Sequence, residues 1–295
     1  MPSAFADSTA DAAFIAGGAL YPLDQIVRTE PQWAGVWRQR LALKCAAAAV
    51  RLAGRVEDEV ALRDAWLLRR PGDEPGPSGQ ILFAWKRLAS RSTALDAETL
   101  EAVAGLLGIR WEGTLASLPG AFEDLRLSGA AAPFAAADII AKTFSIRADA
   151  EMLGWWLADL LLADKLRWPA PVPLMMGQRF SALFRGEGGR GRIRPGDEGF
   201  ERAVCLALVQ AATEASRLAA EIARRAERLT AITPKLRAKG AGDAIRLLLS
   251  EDAVSGSLQT ARLSRFASRR LFERLEQLDA VRELSGRATF RIYGL

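Results

Sequence analysis

The sequence predicts a mainly α protein in two parts, a multi-helical N-terminal domain over residues 1–234 and a small C-terminal winged helix-turn-helix domain over 235–295. Half of the 295 residues are hydrophobic and a quarter are charged, a balance that folds around a sizeable core. Ala and Leu dominate, and most segments repeat their apolar residues in steps of three and four, the period of a helix. The end of the chain has its own order: an apolar helix, a short helix, an Arg-rich helix and two short alternating runs.

Taken in order, Asp11–Leu20 and Leu23–Arg28 read as a helix broken near Tyr21-Pro22, because proline removes a donor and crowds the preceding turn. Trp37–Leu52 is amphipathic and ends at Gly54, and Glu57–Leu68 follows. Residues 71–79 carry three prolines and connect stiffly to a helix at Gln80–Ala89. Asp96 is a good N-cap for a helix through Leu107. Leu118–Leu127 and Phe134–Ser145 come next, then a buried helix, Ala150–Leu166, capped by Asp149. Helix resumes at Leu174–Phe184. Arg185–Gly199 is rich in Gly and Arg, a loop that either cradles phosphate or is simply solvated; it lacks the setting of a P-loop. Phe200–Ile232 is one long helix whose apolar stripe suits internal packing or the seam of a homodimer. Residues 234–242 break the pattern and mark the domain boundary.

Charge is segregated. Residues 1–216 are close to neutral, whereas 217–295 carry 16 basic and 9 acidic side chains. The whole positive surplus of the chain, +5, therefore comes from its last quarter, where a phosphate-binding surface is expected. The chain contains no histidine, which excludes Ser-His-Asp and Cys-His nucleophiles, His general bases and His-containing metal sites. Cys45 and Cys205 lie in apolar helical runs as core residues, not as a metal pair. No metal and no cofactor is expected. The apolar run Met152–Leu162 is too short to span a bilayer, and no signal-peptide pattern opens the chain, so no membrane contact and a cytoplasmic location are expected.

In the terminal module Ala244–Ser250 forms the first helix and Gly256–Ala261 the second. Ser264 caps the third, Arg265–Leu278. A helical wheel gathers Leu263, Ala267, Leu271, Leu275 and Leu278 inside and leaves Arg265, Ser268, Arg269, Phe272 and Glu276 outside. Arg265, Ser268 and Arg269 would then meet base edges from the N-terminal half of a recognition helix. Val281–Leu284 and Thr289–Tyr293 form a wing around Ser285-Gly286-Arg287. Arg287 at its tip, Arg291 on its returning strand and Arg262 before the third helix would hold phosphates.

The runs WRQRLAL, LRDAWLLRRPGDEPGPSG and RRLFERLEQLDAVRELSGRATFRIYGL resemble an uncharacterised bacterial domain-of-unknown-function family, DUF1403-like, over most of the chain. The order of parts is also similar to Fic-domain proteins with a C-terminal winged helix. Arg51-Leu52-Ala53-Gly54 stands where those carry an Ile-Glu-Gly-like sequence, Leu153–Leu162 resembles the helix after their active loop, and Glu283–Tyr293 resembles their wing. Fic enzymes transfer AMP with a His-Pro-Phe-x-Asp/Glu-Gly-Asn-Gly-Arg loop. The corresponding Phe144–Glu151 has no His, no Asn and no glycine pair, so the resemblance implies a catalytically dead core kept as a scaffold.

The expected function is therefore non-enzymatic: a transcriptional or plasmid-associated regulator that binds double-stranded DNA. The alternative is a scaffold or adaptor whose winged helix contacts protein.

Overall fold

In the computed structural model, which describes residues 8–70, 72–90, 95–186, 191–236 and 240–295, the chain is overwhelmingly helical. Its α-helices among the described residues are α1 (Thr9–Thr29), α2 (Ala34–Leu52), α3 (Glu59–Leu68), α4 (Gly76–Ser90), α5 (Ala97–Leu106), α6 (Leu118–Leu127), α7 (Ala132–Ile146), α8 (Glu151–Lys165), α9 (Phe200–Ile232), α10 (Ala241–Ser250) and α11 (Arg265–Gln277). Three short strands, β1 (Val254–Ser255), β2 (Arg282–Glu283) and β3 (Ile292–Gly294), lie around α11.

The body is built on α8, which buries nearly every residue, including Trp155 and Trp156. Helix α7 crosses it closely because Gly154 has no side chain: a Cβ there would stand 3.2 Å from the Ile140 Cα. Helices α1 and α9 pack together on one side, and α2 packs on α4. By length and composition α9 with its short extension, Phe200–Lys235, is apolar enough to cross a membrane, but 61% of its apolar 18-residue segment is buried inside the protein. Its stripe from Val204 through Leu208, Ala211, Ala215, Ile222 and Leu229 serves the core. Cys45 and Cys205 are buried free thiols.

Several elements differ from expectation for physical reasons. Helix α1 is unbroken through Pro22, which lies on its exposed face, so the carbonyl left without a donor is open to water. Its start is fixed by a capping box between Ser8 and Asp11. Helix α4 begins at Gly76, with Pro77 in the first turn, where a missing N–H costs nothing. Asp149 does not cap α8; it pairs with Arg147 at 2.6 Å, and a 3-10 turn leads into the helix. Residues Leu174–Phe184 do not form a helix. The Leu174 and Met175 N–H groups donate to the buried Asp159 carboxylate, each at 3.0 Å, and only two 3-10 turns follow.

The terminal segment differs most. No second helix forms at 256–261. Val254–Ser255 instead pairs antiparallel with β3, giving a three-stranded sheet ordered β1-β3-β2 in place of a two-stranded wing. The sheet strands are shorter than the alternating runs, because residues 284–291 are taken up by the loop between β2 and β3.

The expected boundary at 234/235 falls beside residues outside the described set. Beyond it, the terminal segment is seated firmly on the body. Asp252, 8% exposed, accepts from Arg63 of α3 at 2.5 Å and from Arg40 of α2. Arg40 also donates to the Asp252 and Leu295 carbonyls. Lys86 pairs with Glu251 at 3.0 Å, Arg282 with Glu221, and Arg228 with Asp279. Gly35 of α2 lets α10 approach, since a Cβ there would stand 2.8 Å from the Ser250 Cα.

Candidate nucleic-acid interface

Helix α11 starts because Ser264 adopts an extended conformation and its Oγ accepts from the Ala267 N–H at 3.3 Å. Its buried face is Ser268, Leu271, Phe272 and Leu275. The Phe272 ring stacks on Tyr293 of β3, with centroids 5.0 Å apart and planes 9° from parallel. That stack sets the rotation of α11. The loop between β2 and β3 is tied at its start by the Glu283 carboxylate, which accepts from the Ser285 N–H at 2.8 Å and the Gly286 N–H at 2.7 Å. At its end, the Arg291 carbonyl accepts from the Gly256 N–H at 2.8 Å.

Between the N-terminal half of α11 and this loop lies an open groove of about 350 Å³. Arg265, Arg269 and Glu273 line one wall, and Phe290, Arg291 and Tyr293 the other. None of the three arginines is in an ion pair among the described residues. A hydrogen bond with Tyr293 raises the Arg291 guanidinium above its ordinary value, so it stays charged. Burial raises the Tyr293 hydroxyl, which therefore stays neutral. With three cations against the single carboxylate of Glu273, the groove can attract and hydrogen-bond an anion.

The six predicted site residues are not all brought together. Arg265, Arg269 and Arg291 share the groove. Arg262 is exposed in the turn before α11, outside the groove lining. Ser268 is fully buried, so it cannot reach a base; this corrects its placement on the outer face. The wheel had the wrong phase: Phe272, expected outside, is fully buried, and Leu278, expected inside, is 37% exposed. Arg287 does not stand free at a wing tip. Its Nη2 donates to Asp64 of α3 at 2.7 Å, clamping the loop to the body.

Sequence reasoning missed two further arginines. Arg270 and Arg274 are exposed on the adjoining row of α11 and, with Lys235, border a second depression floored by Ile232, Leu236 and Leu271. Their i, i+4 spacing repeats that of Arg265 and Arg269, which was the available signal.

Elsewhere, the segment Phe144–Glu151 holds its carboxylates in ion pairs, Asp149 with Arg147 and Glu151 with Arg179. Glu151 also accepts from the Trp155 indole at 3.0 Å. Among the described residues no three His, Cys, Asp or Glu side chains gather as a metal site. The Gly-Arg-rich loop falls partly outside the described residues, but Arg192 and Arg51 lie over the Phe180 ring at 5.4 and 4.3 Å.

A family model described as "Protein of unknown function (DUF1403)" matches residues 1–295. No curated protein matches the chain. Matched from end to end by that family model, the chain belongs to the DUF1403 family.

Proposed function

We propose that this is a non-enzymatic protein that binds double-stranded DNA through a winged-helix module at 235–295, as a transcriptional or plasmid-associated regulator. The observation that carries the reading is the open groove in which Arg265, Arg269 and Arg291 outnumber the one lining carboxylate, Glu273. The order α10, β1, α11, β2, β3, with the sheet arranged β1-β3-β2, supports it, because that frame presents one helix and one loop together. In this reading α11 enters the major groove. Arg265 and Arg269 reach base edges, and Arg262 and Arg291 hold phosphates. The body over 1–234, read through its resemblance to Fic-domain proteins without their catalytic loop, is a scaffold offering a partner or homodimer surface.

Changing Arg269 to Ala should weaken specific binding by about 1–3 kcal/mol if it pairs with guanine, and relax preference at one base position. Fluorescence anisotropy on sites recovered by genomic footprinting reads both. Equal affinity of the variant and the parent chain would remove Arg269 from the interface.

An adaptor role is the second reading, favoured by the largely apolar depression between the end of α9 and α11. Capture of a stoichiometric protein partner with no DNA retained would support it over DNA binding.

A further inference from the structure

The loop that walls the arginine groove holds an aromatic ring in an unusual way. Four non-glycine residues among those described have positive φ: Glu30, Arg167, Asp279 and Phe290. The first three directly follow helices, where the left-handed conformation is the ordinary way to stop, and each donates its N–H back into the helix it ends. Phe290 (φ 56) ends no helix. A bulky residue at such a φ is a genuine outlier, and it persists only where the surroundings impose it. Here the loop is pinned on both sides, by Glu283 at one end and by the pairing of β3 at the other.

The strain serves no packing. Phe290 is 64% exposed, on a wall of the groove opposite Arg265 and Arg269 and next to Arg291 in sequence. A large ring held out beside unpaired guanidiniums matches the chemistry of an unstacked nucleobase, whose flat face stacks on the ring while its flanking phosphates meet the cations. At about 350 Å³ the groove is of the size that takes a small ligand group.

We infer that Phe290 is a base-stacking residue, and that the preferred ligand is duplex DNA carrying an unpaired or readily unstacked base at the groove. The inference rests on the DNA-binding reading. It adds that the site recognises deformed duplex, with the exposed ring supplying the preference and Arg265, Arg269 and Arg291 the affinity.

The test uses the full chain and three probes of one sequence: a matched duplex, the same duplex with one bulged base, and the single strand. Affinities are measured for the parent chain, Phe290→Ala, Phe290→Trp and Arg269→Ala, with melting temperatures to confirm folding. The bulged duplex should bind about tenfold more tightly than the matched one. Phe290→Ala should abolish that preference, and Phe290→Trp should keep it. Equal preference in Phe290→Ala, or none in the parent chain while Arg269→Ala still weakens duplex binding, overturns the inference and leaves the DNA reading standing. Tighter binding of the single strand than of the bulged duplex overturns the duplex assignment. No binding to any probe overturns both.

Discussion

At the scale of single residues, Asp159 shows how a buried carboxyl group reports on the fold. It lies fully buried in α8, and its two carboxylate oxygens accept from the Leu174 and Met175 N–H groups. Burial pushes its carboxyl from 3.8 up to about 8, against the pull of those two donors. The folded chain therefore holds a proton that the unfolded chain releases between those values. Stability should fall as pH rises from about 4 to about 8, by at most about 1.4 kcal/mol per pH unit. Asp159→Asn removes this titration, so urea midpoints for variant and parent, compared at pH 5 and pH 8, should show the parent losing ground as pH rises. An unchanged difference between the two would contradict the assignment.

At the scale of elements, α11 depends on a local cap and a distant stack. Ser264→Ala removes the only side-chain cap of this helix and should cost about 1 kcal/mol, read as a lower melting temperature. A variant within about 0.3 kcal/mol of the parent would mean that the Phe272–Tyr293 stack alone sets the start of the helix. These elements also show what the sequence could tell and what it could not. Ser264 as cap and Arg265 as first residue were legible, because caps are local. So was α9, whose bounds Phe200–Ile232 follow from an apolar stripe broken only at Arg225. The rotation of α11 was not legible. Its outward and inward faces both hold apolar residues, and the choice is made by Tyr293, about twenty residues on. Ser268 was misplaced for that reason. Strand β1 was missed because two residues carry no alternation, and their partners Ile292 and Tyr293 come from beyond α11. The convergence of Arg265, Arg269 and Arg291 was anticipated only as residue types in order, whereas Arg287 was lost to Asp64, an ion pair spanning 223 positions that no local pattern announces.

At the scale of the whole molecule, the terminal segment and the body meet through a buried charge. Asp252 sits between Arg40 and Arg63; burial opposes its ionisation, but the two guanidiniums hold its carboxyl below 3.8. Its contribution is therefore fully present above that value and is lost as pH falls through the lower, folded one. Asp252→Ala leaves the buried Arg63 without its carboxylate and Arg40 with only its carbonyl bonds, and should destabilise by about 3–5 kcal/mol, while Arg63→Met with Asp252→Leu should recover part of the loss. Denaturant unfolding measures both. This seating makes the arginine groove a fixed feature of the molecule, held against α2 and α3. The central claim is that this face binds DNA through its cations. The most direct measurement is the affinity of the full chain for duplex DNA as a function of salt. With Arg262 and Arg291 on phosphates, log K against log salt should fall with a slope of roughly −2. Loss of Arg291 should make it shallower by about one. A flat line across salt, or no binding at low salt, would contradict the claim.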